Sequence, residues 1–245
     1  QSVDTDASPY DTGSYASATT YVTGMAVVKT CEELKKQMLR EAAILLEVDE
    51  EHITFDGSML RAVENAKEIS LADFANRCFA GGKGECLIAS ASHCSPTSPP
   101  PFMAGIAEVD VDKLTGEITL VDYAAVVDCG TIINPNLARI QTEGGIAQGI
   151  GMALYEDITY SSKGRMRNNS FLQYKIPTRQ DVGTIRVEFE SSFEDNGPFG
   201  AKSIGEVVIN TPAPAIASAV AHASGVQIRT LPITAEKVLL KKDED

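Results

Sequence analysis

Residues 107–128, AEVDVDKLTGEITLVDYAAVVD, decide the fold of the second half of the chain. Apolar and acidic residues alternate in the first part of this stretch, where Ala107, Val109 and Val111 are separated by Glu108 and Asp110. Such alternation is typical of a strand with one buried face. The following residues, 113–116, supply a turn, and 117–128 return the chain as a second strand. The sequence therefore predicts an antiparallel β-hairpin.

Helices and further strands follow this hairpin. Pro135 suits the first position of a helix, so a helix is predicted to start at Asn134-Pro135 and to run to about Leu154. The remaining predicted elements are short: strands near Ile158 and over 185–190, and helices over 213–223 and from about Thr234. Because strands and helices show no regular β–α–β period, the pattern favours an α+β fold.

The first half begins its regular structure with a long predicted helix from Met25. Apolar residues recur in it at three- and four-residue spacing: Val27, Cys31, Leu34, Met38, Ala42 and Leu45. A hairpin over 52–62, a helix over 70–80 with Ser70 as its N-cap, and a strand over 86–93 are predicted next. Prolines between 96 and 101 mark a stiff connection. We therefore expect two mixed α/β subdomains, 1–100 and 101–245.

The composition excludes several functional classes. A net charge of −13 over 245 residues would repel a nucleic-acid backbone. No apolar run reaches the roughly 18 residues of a membrane span, and no signal peptide is visible, so we expect a cytoplasmic protein without a membrane span. The five cysteines form no CxxC pair, which argues against a zinc site or a disulfide scaffold and favours reduced thiols.

Three glycine-rich segments are candidates for ligand contact: 13–20 (GSYASATT), 144–151 (GGIAQGIG) and 200–206 (GAKSIGE). Glycine lets a backbone approach a ligand closely. Each segment also has a purely structural interpretation. The first suits the capping loop of a helix, the second suits close helix packing, and Glu206 suits the first turn of a helix, where the helix dipole favours an acid. Taken one at a time, the segments leave both interpretations open.

Five runs, in order along nearly the whole chain, resemble the molybdenum-binding subunit of the xanthine dehydrogenase and aldehyde oxidase family. They are DTDASPYDTGSYASATTYVTGMAV at 4–27, DCGTIINP at 128–135, QTEGGIAQGIGMALYE at 141–156, YKIPT at 174–178 and GAKSIGE at 200–206. The resemblance implies the fold of the second molybdenum-cofactor-binding domain of that family. The glycine-rich segments would then contact a cofactor rather than only cap and pack helices.

The cofactor that the resemblance implies is a molybdenum–pyranopterin, either molybdopterin or its cytosine dinucleotide form. In this family the pterin holds the metal, so no protein side chain is expected to be a metal ligand. Backbone amides, hydroxyls and side-chain amides would hold the pterin and its phosphates. The implied cofactor-binding residues are Ser14, Ala16, Ser17, Thr19, Thr20, Gln148, Lys202, Ser203 and Gly205.

Glu206 matches the essential glutamate of the family, which implies that it is the catalytic base. The implied reaction is the hydroxylation of an N-heterocycle or an aldehyde with oxygen derived from water, and a purine such as xanthine or hypoxanthine is the favoured substrate. The electrons would leave through iron–sulfur clusters and FAD. Because the chain has neither a four-cysteine cluster pattern nor a flavin fingerprint, those centres are expected on partner domains or subunits.

The chain also departs from the family pattern. It lacks the Gly-Gln-Gly cofactor loop, the Gly-Gly-Phe-Gly segment and most of the residues that shape the substrate pocket. We therefore expect a fragment or a split subunit that is inactive without the rest of the molybdenum subunit. Two alternatives stay open: a non-catalytic scaffold of the same fold, and an unrelated enzyme that binds a phosphate ligand at 200–206, although no Walker or kinase signature is present.

Overall fold

A computed structural model describes residues 4–80 and 86–240 of the chain. These residues form two compact units. One unit runs from Val22 to Pro96, and the other combines the segment that ends at Tyr21 with the segment that begins at Thr97. The loop at 13–20 therefore belongs to the same unit as the C-terminal half, whereas the sequence grouped it with residues 21–100.

Within its described residues, the smaller unit, from Val22 to Pro96, contains two α-helices and a three-stranded sheet. Its elements are α1 (Gly24–Leu46), β1 (Ile53–Phe55), β2 (Met59–Ala62), β3 (Glu68–Ser70) and α2 (Leu71–Ala80). The strands pair antiparallel in the order β1-β2-β3. Leu60 and Phe74 are buried in its core. Ser70 caps α2 as predicted, because its hydroxyl accepts the N–H of Asp73 at 3.0 Å.

One prediction for this unit is wrong, and one strand was not predicted. The segment 86–93 forms no strand, although exposure alternates over 86–90; the Ile88 carbonyl accepts a hydrogen bond from the Gln37 side chain and not from a neighbouring strand. Strand β3 was not predicted. Only Ile69 of its three residues is buried, so the sequence carries too short an apolar pattern to mark it.

The described part of the larger unit contains a second three-stranded sheet and four α-helices. Its elements are β4 (Phe102–Val111), β5 (Ile118–Asp128), α3 (Pro135–Leu154), β6 (Thr184–Glu190), α4 (Val207–Asn210), α5 (Pro212–Ser224) and α6 (Ala235–Leu240). β4 and β5 form the predicted antiparallel hairpin, which begins five residues earlier than the alternating charges indicate. β6 then pairs parallel to β5, and α3 provides the crossover that a parallel pair requires.

The core of this unit lies between one face of the sheet and helices α3 and α5. Tyr123, Ile146, Ile150 and Ile216 have no measurable exposure. The Tyr123 hydroxyl lies 2.8 Å from Thr211 Oγ1, which satisfies a polar group that would otherwise be buried alone. Burial raises the pKa of this phenol above its usual value. The core thereby fixes α3 and the start of α5 against the sheet.

The start of α3 agrees with the sequence prediction. Asn134 is the N-cap, and its side chain accepts the N–H of Leu137 at 3.1 Å, while Pro135 takes the first helical position. The predicted strand near Ile158 is reduced to an isolated bridge between Tyr160 and Met166. Across 4–80 and 86–240, no helix combines the length and the hydrophobicity that crossing a bilayer requires.

Candidate active site

A cavity of about 360 Å³ lies in the larger unit, where three separate segments meet. The segments are the loop at 13–20, the region from Cys129 to Gln141, and residues 201–205. The volume is within the range of small-molecule sites. Six residues predicted from sequence line the cavity: Ser14, Ser17, Thr19, Thr20, Lys202 and Gly205. The fold thus brings together residues that are almost 190 positions apart.

The loop at 13–20 turns sharply beside this cavity. Ala18 N donates to Tyr15 O at 3.0 Å, and the two residues inside that turn, Ala16 and Ser17, have φ of +48° and +60°. A non-glycine residue in this left-handed region costs about 1–2 kcal/mol, so surrounding contacts must impose the conformation. One such contact joins the Thr19 hydroxyl to Ser14 Oγ at 2.7 Å.

Two short segments pair on another side of the cavity. Thr131 N donates to Gly200 O at 2.9 Å, and Lys202 N donates to Cys129 O at 2.8 Å. Gly130 sits between these bonds with φ of +70°, and a Cβ there would lie 2.4 Å from Gly200 O. No other residue type fits this position without moving the backbone. The pairing fixes the start of the 200–206 segment against the end of β5.

A buried ion pair strengthens this junction. Lys202 Nζ lies 2.8 Å from Asp128 Oδ2, and the two side chains are only 12% and 19% exposed. Asp128 also accepts hydrogen bonds from Ser192 Oγ at 2.6 Å and Gly130 N at 3.0 Å. Burial alone would raise the pKa of Asp128, but these hydrogen bonds and the Lys202 charge outweigh it and lower the pKa below its usual value. The ammonium of Lys202 is therefore paired within the protein.

Glu206 follows directly after the cavity-lining residue Gly205. Its backbone N–H donates to Ser17 Oγ at 2.7 Å, and the carbonyl of Gly205 accepts from Gln141 Nε2 at 3.1 Å. The Glu206 side chain is exposed and makes no capping hydrogen bond, although the residue is the N-cap of the four-residue helix α4. The helix-dipole interpretation stays open, because the N-cap position lies at the N-terminus of the helix, but no side-chain capping hydrogen bond is made by Glu206. Its carboxylate is open to a reactant.

The remaining predicted residues lie outside the cavity lining. Ala16 forms the turn, and Ser203 is half-buried in the segment between Lys202 and Gly205. Gln148 is exposed on α3, seven residues after Gln141. Seven residues are about two helical turns, so Gln148 shares a face with Gln141 at roughly 10 Å along the axis. Its cofactor contact stays a prediction.

The glycines of α3 serve helix packing. A Cβ on Gly145 would lie 2.2 Å from Val208 Cγ2, and a Cβ on Gly149 would lie 2.7 Å from Pro212 Cγ. Both glycines therefore let α4 and the start of α5 approach α3 closely. Gly144, in contrast, has nothing within 4 Å of its Cβ position. The packing interpretation of the 144–151 segment is confirmed for Gly145 and Gly149.

Sequence reasoning missed two residues of the site, Asp128 and Gln141. Asp128 belongs to the run DCGTIINP, which resembles the family, but the resemblance assigned no role to Asp128. Gln141 begins the run QTEGGIAQGIG, about two helical turns before the predicted Gln148. A search for polar residues one or two turns away on the same helical face would have found it. Nothing in the sequence links Asp128 to Lys202, which is 74 residues away.

The donors around the cavity suit a pterin that carries phosphate. Ser14, Ser17, Thr19 and Thr20 supply hydroxyls to the cavity lining, and hydroxyl groups can bind phosphate oxygens without a cationic side chain. The profile of the family described as molybdopterin cofactor-binding domain matches residues 1–183. The chain belongs to this family. Within the family, it groups with the large subunits of xanthine dehydrogenase and carbon monoxide dehydrogenase.

Curated relatives and solved structures agree with this membership. The chain is 35% identical over 96% of its length to the putative xanthine dehydrogenase molybdenum-binding subunit of Escherichia coli, and equally to the probable hypoxanthine oxidase of that organism. It covers 32% and 25% of those two proteins, so it spans about a third or less of their length. Quinoline 2-oxidoreductase from Pseudomonas putida superposes with a TM-score of 0.86 at 26% identity, over 96% of this chain and 31% of that one.

The solved structures also confirm the fold class. A copper- and molybdenum-containing carbon monoxide dehydrogenase matches 97% of this chain with a TM-score of 0.85 at 25% identity. The chain covers 31% of that protein. The predicted α+β architecture and the recognition of the family from five short runs are therefore both confirmed.

Proposed function

We propose that this chain forms the cofactor-binding and catalytic part of a molybdenum hydroxylase, with Glu206 as the base. The observation that carries the proposal is the convergence of the 13–20 loop and the 200–206 segment on one cavity, with Glu206 held at its edge. The reaction is the hydroxylation of an N-heterocycle or an aldehyde with oxygen derived from water. A purine is favoured because two relatives at 35% identity are described as xanthine dehydrogenase and hypoxanthine oxidase.

The residues that hold the cofactor in this proposal are the hydroxyl-bearing ones of the loop and the backbone of 202–205. Ser14, Ser17, Thr19 and Thr20 bind phosphate and pterin oxygens, and Gly205 leaves room because a side chain there would press against Ser17. Ala16 and Ser203 contribute through their backbone. Lys202 contributes beside the cavity while its ammonium stays on Asp128. Gln148 contacts the same ligand only if the ligand extends about two turns along α3.

When bound, the molybdenum–pyranopterin, as molybdopterin or its cytosine dinucleotide, supplies the two-electron redox chemistry of the hydroxylation. The chain itself supplies a base. The exposed carboxylate of Glu206 accepts the proton of the attacking water-derived oxygen, and the hydrogen bonds at its backbone hold it at the cavity edge. General-base action of this kind contributes about 10²- to 10⁴-fold to a rate. In this proposal the rest of the molybdenum subunit completes the cofactor site, and iron–sulfur and flavin domains or subunits accept the electrons.

The proposal is tested by replacing Glu206 in the assembled enzyme. Glu206→Gln keeps the size of the side chain and removes its basicity, so turnover of xanthine, hypoxanthine, another N-heterocycle and an aldehyde, read by dye reduction, should fall at least about 100-fold. Molybdenum and pterin content should not change. Glu188→Gln, on the exposed face of β6, is the matched control and should keep full activity. Undiminished turnover of Glu206→Gln would overturn the proposal, and an assembled enzyme without molybdenum would point to a scaffold.

A further inference from the structure

The peptide bond between Gly205 and Glu206 is held from both sides by side chains of distant segments. Its N–H, from Glu206, donates to Ser17 Oγ at 2.7 Å, and its C=O, from Gly205, accepts from Gln141 Nε2 at 3.1 Å. Ser17 lies on the loop at 13–20 and Gln141 on the second turn of α3. One peptide plane is thus fixed by two elements that are separated in sequence by more than a hundred residues.

From this geometry we infer that Ser17 and Gln141 are positioning residues for Glu206. The two hydrogen bonds act on opposite ends of the same peptide dipole, so together they fix the rotation of that plane. Because the Cα of Glu206 lies in this plane, fixing the plane also restricts the direction in which the Glu206 side chain points. The inference rests on the proposed role of Glu206 as the base. It gives Ser17 and Gln141 a function that is separate from holding the cofactor.

Other features of the site show why Glu206 needs the hydrogen bonds to Ser17 and Gln141. The Glu206 carboxylate has no hydrogen-bond partner within 4–80 and 86–240, so nothing at the side-chain end sets its orientation. Helix α4, which follows it, has only four residues and gives little rigidity of its own. Upstream, the pairing of Cys129 with Lys202 ends three residues before Gly205. The backbone between these two anchors is fixed chiefly by Ser17 and Gln141.

The conformation of Ser17 fits this role. Its φ of +60° is unfavourable for serine, and the hydrogen bond from Glu206 N is the contact that ties this turn to the rest of the unit. A Cβ at position 205 would lie 3.0 Å from Ser17 Oγ, so Gly205 lets the hydroxyl come within reach of the next amide. Gln141 is equally anchored, because α3 begins with the Asn134 cap and is packed on the core through Ile146.

The test uses Ser17→Gly, Gln141→Met and the double variant in the assembled enzyme. Glycine accepts a positive φ, so Ser17→Gly removes the hydroxyl without straining the turn. Methionine keeps the length and helix propensity of glutamine and removes its donor. Gln37→Met is the matched control, since Gln37 Nε2 also donates from a helix to a distant carbonyl, that of Ile88 at 3.0 Å, in the other unit.

We expect each single variant to lower kcat roughly 10- to 100-fold, because misplacement of a catalytic group by about 1 Å has effects of that order. KM should stay within about twofold in both single variants, and Gln37→Met should match the wild type. The molybdenum and pterin content of Gln141→Met should also stay within about twofold, whereas that of Ser17→Gly should fall much less than kcat, because Ser14, Thr19 and Thr20 still hold the cofactor. Hydrogen exchange at the Glu206 amide should accelerate about fivefold or more in Ser17→Gly, which corresponds to the loss of one hydrogen bond. Since both bonds hold one peptide, the double variant should be little slower than the slower single variant.

Three results would overturn the inference. One is an unchanged kcat in both single variants, and another is a loss of cofactor in proportion to kcat, which would make these residues cofactor ligands only. The third is a double variant whose two effects multiply, which would mean that they act independently. Failure of the proposed function gives a different result. In that case Glu206→Gln retains turnover, whereas exchange at the Glu206 amide still reports whether Ser17 holds it.

Discussion

The loops around the cavity and the helix α3 carry similar glycine-rich sequences, yet their glycines do different things. In the loops, Gly130 has positive φ and lets two backbone segments pair, and Gly205 lets Ser17 reach the next amide. In α3, Gly145 and Gly149 are helical and lie against Val208 and Pro212. The comparison teaches that a glycine-rich run indicates close approach, and that the local backbone decides whether another loop segment or another helix approaches.

The largest expected effect on stability comes from a substitution in the loops around the cavity, at Gly130. In Gly130→Ala the new Cβ would meet the backbone atoms Gly200 O and Lys202 N, and alanine would have to adopt a φ of +70°. We expect a loss of about 3 kcal/mol in the free energy of unfolding and a loss of cofactor from the assembled enzyme. Urea unfolding of the purified chain and metal analysis of the complex measure these two effects. Wild-type values in both would show that the junction is not rigid.

Removing the ion pair between Asp128 and Lys202 at the same junction should lower the free energy of unfolding slightly less, and this loss should depend on pH. Because the pKa of Asp128 is lowered in the folded chain, its contribution to stability is present above the ordinary aspartate pKa and is lost as the pH falls through the folded-state value. Asp128→Asn leaves Lys202 without its partner and should cost roughly 2–3 kcal/mol at pH 7.

The difference between Asp128→Asn and wild type should shrink when the pH is lowered below about 4. Urea unfolding of both proteins between pH 3 and pH 7 checks this. A difference that stays constant over the whole range would mean that ionised Asp128 does not stabilise the fold.

Gly145→Ala tests the packing role of the glycines in α3, and Gly144→Ala on the adjacent residue is its control. The Cβ at 145 would overlap buried Val208, so we expect a loss of about 2 kcal/mol in the free energy of unfolding. At 144 the Cβ position is open, and replacing a helical glycine by alanine should stabilise by up to about 1 kcal/mol. Thermal or urea unfolding separates the two variants. Equal shifts in both would contradict the packing role of Gly145.

The smallest expected change in stability comes from a substitution in the turn of the 13–20 loop. Ala16 has a φ of +48°, so Ala16→Gly removes strain from the folded chain while it adds freedom to the unfolded one. The net result should be a gain of up to about 1 kcal/mol, seen as a higher Tm in a thermal scan of the purified chain. A clear decrease in Tm would show that the side chain of Ala16 is needed and that the turn is not strained.

Sequence reasoning predicted the elements whose patterns are long and regular. The hairpin of β4 and β5, the capped start of α3 and the helix α5 carry clear alternation or punctuation. Short elements such as β3 could not be found, because one buried residue in three makes no pattern. The segment 86–93, predicted as a strand, alternates in exposure only over 86–90 and has no paired strand among the described residues, and strand pairing is a tertiary property.

Residues of the site were predictable from sequence only where they lie in the runs that resemble the family. Ser14, Ser17, Thr19, Thr20, Lys202 and Gly205 do meet at one cavity, and Glu206 lies next to it. The contacts that hold the site together could not be predicted, because each joins segments 64 or more residues apart: Asp128 with Lys202, Gln141 with Gly205 and Ser17 with Glu206. Such contacts depend on the folded positions of α3 and β5, which no local pattern specifies.

The central claim is that the cavity between the 13–20 loop, the region from Cys129 to Gln141 and residues 201–205 holds the cofactor beside Glu206. An experimental structure of the assembled, cofactor-loaded enzyme tests it most directly. We predict pterin or phosphate atoms within hydrogen-bonding distance of Ser14, Thr19 or Thr20, and Glu206 still bonded through its amide to Ser17. Cofactor bound elsewhere, with this cavity filled only by solvent, would contradict the account.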